Sequence, residues 1–482
     1  MVLALIFKTM LPRALGPSAL GSLYYTESFA SIVMSFATLG IGAFIAREIP
    51  RRSGATNSIV RAAGLLTLMT TVILLAGVWL ALGFLGKSGD LQRLALVMGG
   101  YLALQAWNRD IMRKATLGNN LPMVVARGDV LAKVCLVFLG GAAIWMTGQV
   151  LFVAISFLAS EVVTALWLGW HMGRESLMEG ALAPSAFTRK SKSRQLVREM
   201  VVVSAPFFLS GAVEELYRNV DATILEHLLG TRSVGLYGAS VRILGICLFF
   251  VPILTNGLQP VLSEAFHRDE RDFAAKSQRA LRLLLALSVP LTALLVAVAE
   301  PVIRLLYGAE FAPSVRALVY LAPTVCITYV NILLSSCSMI ATRGRRMLLV
   351  MIMGAGLNAA LNFALIPRGE TIWGEGGGGA MASLITLGCE LLVVCFLMHD
   401  LRKWIWSAAV FRWFSSSVVV IAAGMMAVDY LRDSRYATFA GVGNLIFSLA
   451  AIFILGLLST RELKSIMQAI RLLGATSRES AR

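Results

Sequence analysis

Apolar stretches separated by short polar breaks run the whole length of the chain. Cutting at each cluster of charged residues, glycine or proline leaves fourteen segments, approximately 2–12, 22–46, 62–86, 94–112, 128–147, 149–172, 201–228, 234–262, 283–303, 317–341, 347–367, 377–399, 413–430 and 438–459. A bilayer core of about 30 Å takes ~20 apolar residues as a helix, so the pattern predicts an all-α polytopic membrane protein. The first segment is too short to cross as written; either translation starts upstream or a partial helix suffices. Met1 to Met10 lacks the cleavage region of a signal peptide.

Charge orients these segments. The second, fourth, sixth, eighth, tenth and twelfth loops and the C-terminal tail hold 29 Lys and Arg, including Arg47, Arg51, Arg113, Lys114, Arg345 and Arg346, whereas the other loops hold 9. Cytoplasmic loops carry the positive excess. An even number of spans with both termini in the cytoplasm follows, and a miscount by one would scramble the alternation.

The whole composition agrees. With 57% hydrophobic and 15% charged residues and a mean hydropathy of +0.76, a soluble domain, a disordered chain and a secreted disulfide scaffold are excluded. The formal net charge of +16 would raise nucleic acid as a partner in a soluble protein; here its distribution reports topology, and no nucleic-acid partner is expected. The six cysteines all fall inside apolar segments, without a CxxC pair or a histidine at metal spacing, and read as small buried apolar residues.

The chain also matches itself. Leu15-Gly-Pro-Ser-Ala-Leu-Gly21 aligns with Leu229-Gly-Thr-Arg-Ser-Val-Gly235, and Ala115-Thr-Leu-Gly118 with Ala341-Thr-Arg-Gly344, at offsets of 214 and 226 residues. Two six-helix repeats are expected, at 1–172 and 200–400, followed by two extra spans at 401–460 and a cytoplasmic tail at 461–482. Because six is even, both repeats enter the membrane from the same side, as parallel repeats about an axis along the membrane normal. The basic segment 173–199, with Thr188-Arg-Lys-Ser-Lys-Ser-Arg194, reads as a solvated cytoplasmic linker between the halves, and more weakly as a site for anionic headgroups.

Ionisable side chains within spans are costly in hydrocarbon, so each is a candidate for lining a cavity. Glu214, Arg218 and Asp221 share one face of the seventh span by their i, i+4, i+7 spacing. They form either a locally neutralised ion pair or a polar wall of a central cavity. Glu27 lies in a Tyr24, Ser31, Ser35 stripe, Asp129 and Lys133 stand four residues apart, and so do Asn358 and Asn362; interhelical polar contacts would look the same. Arg242 has no acid nearby on its own segment and Arg13 precedes the first repeat motif. Uncompensated arginines facing a cavity suit a phosphate or pyrophosphate, although either could snorkel to an interface. Arg109 with Asp110 reads as an interfacial pair.

Enzyme signatures are weak. Gly374 to Gly379 satisfies GxGxxG by letter, but no strand precedes it and no Lys-Ser/Thr follows, so it reads as a flexible external lead into the twelfth span. No Walker A sequence or HExxH is present, and no catalytic residue, cofactor or metal is expected.

At this point the residues resemble the polysaccharide-exporting, Wzx-like or O-antigen flippases of the multidrug/oligosaccharidyl-lipid/polysaccharide (MOP) superfamily. The likeness is carried by Arg13-Ala-Leu-Gly-Pro17 with Gly21 and Tyr24, Thr38-Leu-Gly-Ile-Gly42 with Arg47-Glu48, Asp221 through Leu225 with Val234-Gly-Leu-Tyr237, Leu306-Tyr-Gly-Ala-Glu-Phe311, and Gly378-Gly-Ala380. It implies a MATE-like fold and alternating access between two six-helix lobes, flipping an undecaprenyl-pyrophosphate-linked oligosaccharide across a bacterial inner membrane for O-antigen, exopolysaccharide or capsule synthesis. Membrane lipids and a polysaccharide polymerase or export machinery are the implied partners. Arg13, Lys133, Arg218 and Arg242 are the cations able to receive the anionic headgroup, and Asp221, Glu27, Asp129 and Glu214 the acids able to carry a coupling ion or line a polar cavity. A drug or cation antiporter and a lipid II flippase of the same superfamily are the competing readings. An enzyme of polysaccharide polymerisation predicts a sizeable external loop, and the external loops here are short.

Overall fold

The computed structural model describes residues 2–51, 56–179, 190–249, 251–342, 345–431 and 443–450. Its elements are helices: α1 Val2–Met34, α2 Ile41–Glu48, α3 Thr56–Phe84, α4 Gly89–Trp107, a π-helical turn Asn108–Met112, α5 Arg113–Gly118, α6 Pro122–Thr147, α7 Val150–Glu179, α8 Lys190–Leu229, α9 Thr231–Cys247, α10 Val251–Arg268, α11 Glu270–Tyr307, a 3-10 turn Ala309–Phe311, α12 Ser314–Leu321, α13 Pro323–Thr342, α14 Arg345–Trp373, α15 Gly377–Asp400, α16 Arg402–Ile405 and α17 Ala408–Leu431. The all-α polytopic class expected from the sequence is the class observed. A bilayer offers no water to unpaired backbone groups, and helices satisfy theirs internally.

Among the described residues, eight helices are long and apolar enough to cross a bilayer, or up to nine when the bent α8 is taken as one span. These eight coincide with the expected third, fifth, sixth, ninth, tenth, eleventh, twelfth and thirteenth segments. Several of the others are broken locally. Gly16 interrupts α1 with φ 77 and ψ 170, the π-helical turn follows α4, and α8 bends by 51° between Leu196–Ala205 and Phe207–Leu229, where Pro206 removes a backbone donor. The expected fourteenth span, 438–459, the tail and the core of the 173–199 linker lie largely outside the described residues.

Local chemistry sets the helix ends. Ser88 caps α4 by accepting from Leu91 N–H at 3.4 Å, Pro122 opens α6, and Gly148 closes it in the left-handed region with φ 61.

The chain divides into two compact units. The first runs to Ala239 and includes Leu306–Phe311 and Ala355–Gly379. Within it α4 packs against α1, α3 and α7. Phe7, Leu11, Leu23, Met98, Leu136 and Phe157 form one buried apolar cluster, and Ile41, Phe44, Ile45, Ile111, Leu168 and Met200 belong to another. The outer face of α3 is apolar and exposed, at Leu65, Leu68, Ile73 and Leu80 among others, as expected of a surface whose solvent is lipid.

The second unit takes in Ser240–Leu305, Ala312–Gly354 and the residues from Ala380 onward. There α10 packs on α13 and α12 on α17. Asn331 donates to Glu390 at 2.8 Å, Tyr329 to the Cys247 carbonyl at 3.0 Å, and ion pairs join Lys403 to Glu270 and Arg346 to Asp400. Arg242, half-buried on α9, belongs to this unit.

Candidate functional site

A buried polar constellation in the first unit centres on Asp221. One carboxylate oxygen accepts from Asn362 Nδ2 at 2.8 Å and the other from the Tyr237 hydroxyl at 3.1 Å. Asn362 Nδ2 also donates to Asn358 Oδ1 at 3.0 Å. Asp221, Tyr237, Asn358 and Asn362 are all buried, the least so at 4% exposure. Asn358 Nδ2 and Asn362 Oδ1 are buried with no hydrogen-bond partner among the described residues, an arrangement that costs free energy unless something else satisfies them.

Three helices build it. Asp221 comes from α8 and Tyr237 from α9, which are joined through Gly230 at φ 82, while Asn358 and Asn362 stand one turn apart on α14. The glycine-rich stretch lies beside it. Gly374 and Gly376 turn the chain with φ 70 and 83. Glu370 accepts from Gly378 N–H at 2.8 Å, and a Cβ on Gly379 would sit 3.2 Å from Tyr237 Cβ. Sequence reading took this stretch as flexible; its glycines instead permit a tight turn and a close approach of α15 to Tyr237.

A second constellation lies at the end of α8. Lys87 Nζ is 2.6 Å from Glu226, whose side chain is 5% exposed, and the same ammonium stands 5.8 Å from the centroid of the buried Tyr25 ring. Arg232 and Glu375 pair at 2.5 Å nearer the surface. A third is buried under the π-helical turn. Asn108 Nδ2 donates to the Glu161 carbonyl at 2.9 Å and to its carboxylate at 2.8 Å.

Of the eight residues singled out from sequence, Glu214 and Arg218 form an ion pair at 2.6 Å with both side chains more than half exposed. Asp221 turns instead to Tyr237 and α14. Asp129 stands 2.5 Å from Arg113 of α5, an ion pair with a different helix from the Lys133 that its spacing suggested. Lys133 is half-buried on α6, Glu27 half-buried on α1, Arg13 exposed ahead of the Gly16 break, and Arg242 half-buried on α9. Asp110 is held by Arg109 and Lys114, each at 3.2 Å, and by the Thr38 hydroxyl at 3.1 Å.

Sequence reading missed Lys87, Glu226 and Glu161. Glu161 follows Ser156 and Ser160 and precedes Thr164 within the most apolar part of α7, a stripe resembling the one that drew attention to Glu27. Lys87 and Glu226 border loops, where charge is unremarked.

A polytopic helical membrane protein with charged and amide side chains buried at the level of its spans has the design of a transporter or flippase. The sequence profile of the polysaccharide biosynthesis protein family matches residues 1–266, more than half the chain, and the protein belongs to that family. The MatE profile matches residues 206–364.

Among solved structures, the lipid II flippase MurJ in an inward closed conformation is similar, with a TM-score of 0.67 at 15% identity over 96% of this chain and 97% of that one. An inward-facing multidrug resistance MATE family transporter of the MOP superfamily gives 0.64 at 16% identity over 84% and 95%. A MOP superfamily transporter from Pyrococcus furiosus gives 0.53 at 16% identity over 84% and 94%. At such identities the likeness establishes the MATE- and MurJ-like fold of the MOP superfamily and leaves function to the site. No curated protein matches the chain in sequence.

Proposed function

We propose that this protein flips a polyprenyl-pyrophosphate-linked oligosaccharide from the cytoplasmic to the periplasmic leaflet of the bacterial inner membrane, as a transporter and not an enzyme. Segments 1–172 and 200–400 act as the two lobes of an alternating-access cycle, with both termini cytoplasmic. The flipped unit passes to a polysaccharide polymerase or export machinery. Membership of the polysaccharide biosynthesis protein family, matched over 1–266, is the observation that carries this reading. Arg13, Lys133, Arg218 and Arg242 are the cations offered to the pyrophosphate, as before.

The Asp221 constellation supports ion coupling. A single carboxylate among neutral amide and hydroxyl oxygens balances one positive charge, so a proton or a small monovalent cation fits better than a divalent metal. Glu27, Asp129 and Glu214 are secondary candidates.

Mass spectrometry of lipid extracts from a deletion strain tests the proposal. Build-up of a polyprenyl-pyrophosphate oligosaccharide with loss of surface polysaccharide, both reversed by the wild-type gene, is the expected outcome. Unchanged lipids and surface polysaccharide would remove its main support. The MurJ-like fold over 96% of the chain keeps a second reading, lipid II flipping, in view; rescue of a strain depleted of its lipid II flippase would establish it, and altered drug sensitivity would favour an antiporter.

A further inference from the structure

A groove of about 830 Å³ opens on the first unit, lined along α3 from Asn57 to Thr71, floored by α4, and closed on its other side by the end of α7. Its size lies in the range of about 300–1,000 Å³ typical of ligand sites. Gly100 and Gly169 contribute no side chain to its walls, while Trp107 packs against Gly64. Leu65 and Leu68 on its edge are exposed. At 1.5 Å per residue, Asn57 to Thr71 spans about 21 Å along α3, more than one leaflet of a ~30 Å hydrocarbon core but short of both. A transmembrane partner helix would need the full thickness. One leaflet's lipid does not.

Polar groups are graded along the groove. Asn57 and Arg61 stand at its mouth, at the end that the charge alternation assigns to the cytoplasm. Five cations of the basic loops at that end are engaged: Arg47 and Arg51 with Glu48, Arg109 and Lys114 with Asp110, Arg113 with Asp129. Arg61 has no carboxylate partner among the described residues and is exposed. About 9 Å deeper by helical rise, Thr67 lines the groove with a buried hydroxyl that has no hydrogen-bond partner among the described residues. Below it the lining is apolar apart from Thr71.

We infer that the groove between α3 and α7 is a binding site for an anionic phospholipid of the cytoplasmic leaflet. Its phosphate sits on Arg61, an ester carbonyl accepts from the Thr67 hydroxyl, and an acyl chain lies over Gly100 beside Trp107. A cation with free guanidinium donors recognises the phosphate, and the orphaned hydroxyl gains the acceptor it lacks. Nothing in this assignment depends on the transported cargo.

Native mass spectrometry of the full-length protein, delipidated in mild detergent and then offered equal phosphatidylglycerol and phosphatidylcholine of the same acyl chains, tests it. Wild type should retain phosphatidylglycerol about fivefold over phosphatidylcholine, the scale of one basic residue acting on an anionic headgroup. Arg61→Gln, at an exposed position, should abolish the preference. Gly100→Leu, whose Cβ would have only Leu158 nearby at 3.9 Å, should fill the floor and release the retained lipid without lowering the melting temperature. Equal retention of the two lipids, or a preference that survives Arg61→Gln, means annular lipid only and overturns the site. A polyprenyl phosphate displacing phosphatidylglycerol at equal concentration would also overturn it, by assigning the groove to another occupant.

Discussion

Gly21 and Gly235 meet backbone to backbone. A Cβ on Gly21 would fall on the Thr231 carbonyl and the Gly235 amide, and a Cβ on Gly235 on the Pro17 carbonyl and the Gly21 amide. The two glycines occupy the same position of the two matching motifs, and Pro17 and Thr231 are also matched, so each motif presents to the other what it receives. Such reciprocity is the mark of a two-fold relation, here an approximate one within a single chain. The preceding glycines agree: Gly16 and Gly230 hold φ 77 and 82, a conformation that any other residue would adopt under strain.

This contact cannot admit a side chain without moving α1 from α9, and overpacking of this kind costs about 1–3 kcal/mol. Gly21→Leu and Gly235→Leu should therefore disfavour the conformation described here. With the six native cysteines replaced and Ser22→Cys as reporter, labelling by an impermeant maleimide should rise in both variants. Gly77→Leu, where a Cβ meets nothing within 4 Å, should label like the parent. Equal labelling in all three would mean that the seam does not part.

Under the two-repeat reading, the polar groups around Asp221 are set against apolar positions. By the same offsets, Asp221, Tyr237, Asn358 and Asn362 correspond to Phe7, Leu23, Ala132 and Leu136, all buried and apolar. Phe7, Leu23 and Leu136 belong to one cluster. On that reading the matched positions are packed with hydrocarbon, and we propose that the polar groups serve a purpose other than packing. Asn362→Leu should leave protein abundance near normal and abolish export of surface polysaccharide. Asp221→Asn, which keeps the shape and removes the charge, should eliminate any stabilisation of the purified protein by the coupling cation, read as a shift in melting temperature on adding sodium or on changing pH. A variant that exports normally would take Asp221 out of the coupling role.

These examples show what a sequence of this kind discloses. Hydropathy accumulates over ~20 residues, so the uninterrupted spans were legible. Breaks such as Gly16 or the π-helical turn at Asn108 depend on one or two residues and leave no such signal. Asp221 stands apart from the Glu214 and Arg218 pair that shares its helix face. On α8 its spacing from Arg218 suggests a local group, but its hydrogen-bond partners come from α9 and from Asn362, 141 residues away. Glu161 and Asn108, 53 residues apart, were overlooked for the same reason: the fold pairs them, and nothing on either helix announces the other.

Lys87 and Glu226 allow a direct energetic test. Removing one partner of a buried ion pair strands the other charge and costs about 3–5 kcal/mol, whereas replacing both with apolar residues of similar volume is often neutral. Lys87→Met and Glu226→Met should each lower the melting temperature of the purified protein, and the double variant should recover most of the loss. Additive losses in the double variant would show that the two groups do not interact in solution.

Arg218 presents the opposite case, an ion pair with both members more than half exposed. Pairs of this kind contribute about 0–1 kcal/mol, and helical i, i+4 pairs about 0.3–0.5, so stability gives little reason for the pair at this depth. Arg218→Ala should leave the melting temperature and the amount of protein in the membrane almost unchanged while export of surface polysaccharide falls severalfold or more. Arg218→Lys separates charge from geometry: a pyrophosphate held by the guanidinium fork should be poorly served by a single ammonium, so this variant should restore export only in part. Glu214→Gln, which frees the guanidinium, should preserve export. If Arg218→Ala instead reduces protein abundance in step with export, the residue serves the helix and leaves the proposed set of headgroup cations.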